Sequence, residues 1–240
     1  MKKLNLNPSN VKARFTILLL VLVTGSFFSL AGCNNNPVTT GSTGTTAEDN
    51  ISLSVQSSDN MTDNAGIEIT EAKGLLTEIE VEANNVSKQV KAGPIVVQLN
   101  VAGINQVMTS GVIPTGSYSK VKFQLHKPED TETIPDPEFR DGSSGNQRYS
   151  FIIKGKYNGV SFVYKSRKTI NIVMDLTTPL NLTSKSNLTV LFDKIKWFQN
   201  SGGSTIDPSS SSNENEIDDN IKNSFRKAFK DDDRNGVEDH

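Results

Sequence analysis

Cysteine occurs once in these 240 residues, at Cys33, so no disulfide staples the chain and the fold must hold by its core. Histidine occurs twice, at His126 and at the terminal His240, which speaks against a Ser/His/Asp triad or a zinc site. The formal net charge is −2 and no basic stripe is present, so nucleic acid is not an expected partner. No glycine-rich loop follows a strand to cradle phosphates. Glu129, Asp130, Glu132, Asp136 and Glu138 crowd one segment, but Pro128, Pro135 and Pro137 interrupt it. A glycosidase needs its two carboxyls fixed across a cleft, and a proline-broken loop mounts them poorly. No enzyme is expected: there are no candidate catalytic or cofactor-binding residues.

What is present begins at the N-terminus. Lys2, Lys3, Lys12 and Arg14 precede an apolar run from Phe15 to Leu22 that continues weakly to Leu30. A basic region, an apolar region and small residues before a cut site make a secretory signal. Thr24, Gly25 and Ser26 interrupt the run, which is too short for a comfortable membrane span. Leu30-Ala31-Gly32-Cys33 resembles the bacterial lipobox. That resemblance implies cleavage before Cys33, a diacylglyceryl thioether on its sulfur and acylation of the new N-terminus. At about 0.8 kcal/mol per buried CH₂, two or three acyl chains anchor a protein permanently. Asn34 follows the cysteine, where Asp is the usual inner-membrane retention signal, and so favours the outer membrane in a Gram-negative source.

Composition divides the rest. Residues 1–32 read as the signal peptide and 33–50 as a flexible tether rich in Asn, Thr, Gly and Ser. From 51 to 199 the dominant period is two: Ile51, Leu53 and Val55 alternate with polar residues, as do Ile79 and Val81, and Val121, Phe123 and Leu125. Asn158-Gly159 between alternating runs predicts a two-residue type I′ hairpin, pairing Tyr157 with Val160, Gly155 with Phe162 and Ile153 with Tyr164. One wet face and one dry face need a second layer. The expected fold is therefore mainly β, an antiparallel β-sandwich of roughly six to nine short strands. A short helix-like insertion fits Ile104–Thr109, and the loop from Lys127 to Arg148 is long enough to be functional or disordered. Trp197-Phe198 reads first as a core anchor. Residues 200–212 form a linker. Within 213–240, Ile217, Ile221, Phe225, Ala228 and Phe229 predict one amphipathic C-terminal helix, with Asn213 and Glu216 as its capping pair.

Ile95–Leu99 followed by Ile113-Pro114-Thr115-Gly116-Ser117-Tyr118 and the run to Phe123 resembles a family of bacterial lipoprotein domains of unknown function. The resemblance covers about residues 51–198 and implies a prealbumin-like or immunoglobulin-like sandwich, with no reaction attached. The C-terminus, Asp231-Asp232-Asp233-Arg234-Asn235-Gly236-Val237-Glu238-Asp239-His240, begins like an EF-hand loop but stops before a twelfth-position Glu. It more closely resembles the calcium motif of thrombospondin type 3 repeats, with Asp231, Asp233, Asn235 and Asp239 as side-chain ligands and the Val237 carbonyl pointing inward. That resemblance implies Ca²⁺ held at ~10⁻⁴–10⁻³ M, as in extracellular modules, with a structural role in docking the terminal helix.

These readings describe a membrane-anchored envelope lipoprotein acting as a non-enzymatic adhesion, binding or structural module, with an unknown protein or glycan ligand. The alternative is a carbohydrate-binding accessory lipoprotein. It requires exposed rings among Tyr118, Tyr149, Phe151, Phe162, Tyr164, Trp197 and Phe198.

Overall fold

The computed structural model describes residues 47–58, 66–99, 105–141 and 147–240. The signal segment, Cys33 and most of the tether lie outside the described residues, as do Ile104 and residues 142–146 of the long loop.

Within them the chain is mainly β. The strands are β1 (Ile51–Ser57), β2 (Ile67–Ala83), β3 (Val86–Gln98), β4 (Gln106–Gly111), β5 (Gly116–Leu125), β6 (Phe151–Tyr157), β7 (Val160–Ser166), β8 (Ile170–Leu182) and β9 (Ser186–Phe192). Helix α1 (Glu214–Ser224) runs directly into β10 (Phe225–Lys230). Neighbours follow the order β4-β1-β9-β10-β8-β5-β2-β6-β7, with β3 on the other side of β2. The Asn158-Gly159 hairpin has the expected register, Tyr157 with Val160 through Phe151 with Ser166. A second tight turn, Asn84-Asn85, joins β2 to β3. Both residues have positive φ, which asparagine tolerates better than most.

The sheet is mixed, where an all-antiparallel one is expected from sequence. β1 runs parallel to β9 along its whole length, and β10 parallel to β8 at Ala228 and Leu176. Only hairpin-linked strands are forced antiparallel; these partners come from distant parts of the chain, so either direction is open to them. Two further expectations change. Residues 106–111 form β4, paired with β1 across a register shift at Leu53/Ser54, and not a helix-like insertion. The terminal helix stops at Ser224. Phe225, Ala228 and Phe229 belong to β10, which pairs with β9 on one side and β8 on the other. A helix there would leave backbone groups of both strands without partners.

The sheet is curled, and its two parts share one core. Phe123 of β5 meets the ring of Phe225 at 5.2 Å, and Phe151 of β6 meets Trp197 at 5.3 Å, both edge-on. The short 3₁₀ turn Lys194–Phe198 delivers Trp197 and Phe198 into this core, where Ile217 and Ile221 of α1 join them. Trp197 stacks on Phe192, and its indole N–H donates to Ser224 Oγ at 2.9 Å. The anchor role read for Trp197-Phe198 is thus realised. Asn213 stands at the helix start, but its amide donates to the Asp207 carbonyl and caps nothing. The curl brings β4 against β3: a side chain at Gly111 would press into the Val90 carbonyl, so only glycine fits.

Trp197→Ala should lower stability by about 3–5 kcal/mol through the cavity it leaves. Ser224→Ala should cost about 1–3 kcal/mol by stranding the indole donor. Urea titrations with an unchanged slope check both.

Candidate functional site

Two regions gather polar side chains: the long loop over β2 and β6, and the C-terminal loop over β1 and β9.

The long loop leaves β5 where β2 changes partner, from β5 (Leu76–Glu82) to β6 (Ile67–Gly74). Residues 127–141 lie packed on the sheet there. Phe139 is fully buried with Leu75, Tyr149 and Ile152 in a small second core. Beside it stands Lys73 of β2, only 4% exposed, whose ammonium meets Asp136 and Glu138 of the loop and Glu71 at 3.1 Å. Lys154 of β6 joins Glu138 at 2.6 Å and Glu71 at 3.0 Å. Two arginines hold the rest: Arg148 pairs with Asp130 and donates to the Pro128 carbonyl at 2.9 Å, and Arg140 donates to the carbonyls of Glu129 and Glu132. Asp130, Asp136 and Glu138 of this segment therefore fasten the loop through ion pairs. His126 closes β5 with its Nε2 3.6 Å from Glu129, and His240 is exposed at the other end of the chain.

Ion pairing sets the charges. Hydrogen bonds from Lys154 and Lys73 hold Glu138 down to about 2. For Glu71 and Asp136 burial pushes upward first, but Lys154 and Lys73 outweigh it at Glu71, and Lys73 with the Glu138 N–H outweighs it at Asp136, so both lie below the usual carboxylate value. Burial likewise pulls Lys73 down, and its three carboxylate partners more than reverse that. Lys73 escaped the sequence reading because a lysine in an alternating strand reads as solvent-facing.

Every ring proposed as a sugar platform is buried: Tyr118, Tyr149, Phe151, Phe162, Tyr164, Trp197 and Phe198. Tyr149 is further covered by the Lys165 ammonium, 4.6 Å from its centroid. Tyr164 donates to Asp218 of α1 at 2.6 Å, pinning the helix to β7, and its hydroxyl is pushed far above the usual tyrosine range, first by burial and then by that carboxylate.

The C-terminal loop folds back on itself: Asp239 N–H donates to the Lys230 carbonyl at 2.9 Å. Of the five motif residues, Asp231 is fully buried. Its Oδ2 accepts from Thr189 Oγ at 2.7 Å, Asn105 Nδ2 at 2.8 Å and Gly236 N–H at 3.2 Å. Asp233 accepts from Asn235 N–H and Nδ2, Asn235 Oδ1 from Val237 N–H, and Asp239 Oδ2 from Asp232 N–H. Asp233, Asn235 and Asp239 thus hydrogen-bond within the loop, while Asp231 also reaches Thr189 and Asn105 outside it. Among the described residues no three His, Cys, Asp or Glu side chains are arranged to hold a metal ion. Gly236 has φ of +82°, and a side chain there would strike Gln56.

Beneath the loop lies a buried polar face absent from the sequence reading. Asn187 Oδ1 accepts from Ser52 and Ser54 at 2.7 and 2.8 Å, while its Nδ2 donates to the Asp231 carbonyl at 2.9 Å. Asp232, the residue the motif skips, receives Ser186 Oγ at 2.6 Å and Asn187 N–H at 2.9 Å. Alternation in Asn187-Leu188-Thr189 marks one polar face; nothing local says that the chain's own end covers it. No family model, curated protein or solved structure matches this chain.

Carboxylates depressed in the fold contribute stability that is present above their ordinary value of 4.5 and lost as pH falls toward 2. Acid should therefore release residues 127–141, read as loss of the Phe139 and Arg140 backbone NMR signals across that range. In Lys73→Met the acid step should shrink and move toward neutral pH. Lys73, raised in the fold, adds stability that is lost only above its ordinary 10.5.

Proposed function

We propose that this protein is a lipid-anchored, non-enzymatic module of the bacterial cell envelope that holds a protein partner at a strand edge. The anchor reading rests on Leu30-Ala31-Gly32-Cys33, and Asn34 after the cysteine favours the outer membrane if the source is Gram-negative. No described helix is long and apolar enough to cross a membrane. The finer fold reading, a β-sandwich of the bacterial lipoprotein type, is supported by the shared core of the two parts of the sheet. It is also supported by Tyr118, whose hydroxyl donates to the Pro114 carbonyl at 2.7 Å and so closes the Pro-x-Gly-x-Tyr turn.

One observation carries the protein-contact reading. β7 pairs only with β6 among the described strands, and its hairpin register directs the backbone groups of Ser161, Val163 and Lys165 away from β6. Val160 and Val163 on it are 71% and 55% exposed. An unpaired edge bearing exposed valines accepts an added strand. The carbohydrate reading is disfavoured because its aromatic platform is internal.

Calcium belongs to the same reading as a structural ion. The residues that would hold it are Asp231, Asp233, Asn235, Asp239 and the Val237 carbonyl, and bound there it would brace the terminal loop. What supports a fit is Asp231 Oδ1, a buried carboxylate oxygen with no hydrogen-bond partner.

Two measurements test the proposal. Radiolabelled palmitate should mark the wild-type chain and not Cys33→Ser, which should leave the membrane fraction; equal labelling overturns the anchor. A photocrosslinking residue at position 163 should give a discrete adduct in intact envelopes, while one at the exposed Lys222 should not. No adduct at 163 overturns the edge.

A further inference from the structure

The hydrogen-bond shell of Asp231 is one-sided. All three donors that reach its carboxylate arrive at Oδ2. Oδ1 is buried and receives none. Asn105, just ahead of β4, is in the same state. Its Nδ2 donates to Asp231 Oδ2 and to Thr189 Oγ at 2.6 Å, which uses both amide protons and fixes the orientation of the group. Its Oδ1 is left buried without a donor. Thr189 Oγ receives Asn105 and, at 3.2 Å, Asn187, so its own proton goes to Asp231. The protons of these hydrogen bonds are committed, and each of the two directly bonded side chains, Asp231 and Asn105, keeps one buried oxygen without a donor.

A buried carboxylate needs a partner for its charge, yet no lysine, arginine or histidine among the described residues forms an ion pair with Asp231. Two bare oxygens beside an anion are what a hard cation binds. We propose that a hard cation, Ca²⁺ or Na⁺, is held between Asp231 Oδ1 and Asn105 Oδ1, with water and backbone carbonyls completing its shell. The inference rests on the calcium reading above and relocates the ion. Its two side-chain ligands come from segments 126 residues apart, not from alternate positions of one loop. With one carboxylate and one amide oxygen the site is weak, roughly 10⁻³ M. Its effect is to tie the segment before β4 to the end of β10.

Thermal melts of the whole chain in choline chloride test this, first with chelator and then with millimolar Ca²⁺, Mg²⁺ or Na⁺. The cation that fits should raise Tm by about 3–6 °C at tenfold its Kd. Asn105→Leu should abolish the rise, while Asp233→Asn and Asp239→Asn should keep it. Asp231→Asn should also abolish it, yet in chelator should be at least as stable as the parent, because it removes an uncompensated buried charge. A rise kept in Asn105→Leu and lost in Asp233→Asn or Asp239→Asn assigns the ion to the loop alone; the calcium reading then stands and this inference fails. No rise with any cation overturns both.

Discussion

The structure depends on the strand that joins its two parts. β4, β1 and β9 form one run of paired strands, and β8, β5, β2, β3, β6 and β7 another; β10 lies between them. Its bond to β9 is extensive, from Phe225/Phe192 to Lys230/Leu188, while its bond to β8 is a single parallel bridge at Ala228 and Leu176. Ala228 and Phe229 are both buried, so each side of the strand is covered. The core rings that face one another across the curl depend on that seam, as do Trp197 and the helix resting on it.

Much of this was legible. Period-two alternation marks most strands, and Asn158-Gly159 fixes one hairpin to the residue because type I′ geometry leaves no choice of register. What the chain hides is pairing between distant segments. Neither β1 nor β9 carries any local mark that they run side by side in parallel. The same blindness applies to Phe225–Phe229. Spacings of four, four, three and one fit a helix, and only the gap between β8 and β9 makes those residues a strand. At the candidate sites, Asp231 was visible in its motif, but Asn105, Asn187 and Thr189 were not. Short polar residues at alternate strand positions look solvated until something covers them.

The two charged centres solve burial differently. Lys73 sits among three carboxylates with Lys154 alongside, so every charge has a neighbour of opposite sign and the loop is fastened as a by-product. Asp231 has neutral donors only, all on one oxygen. The first arrangement is complete in itself and responds to acid. The second leaves one carboxylate oxygen without a hydrogen-bond partner, and the proposed cation is argued from that gap.

The position of β10 also bears on when the fold can form. β1 must find β9 across more than a hundred residues, and the seam waits for a strand that begins at Phe225. Pairings of such long sequence separation make folding slow. A chain leaving a ribosome in order thus spends most of its synthesis with no seam to close, and stays threadable. Under the export proposed above, that delay is an asset, since a translocation channel passes an extended chain and stalls on a finished sheet.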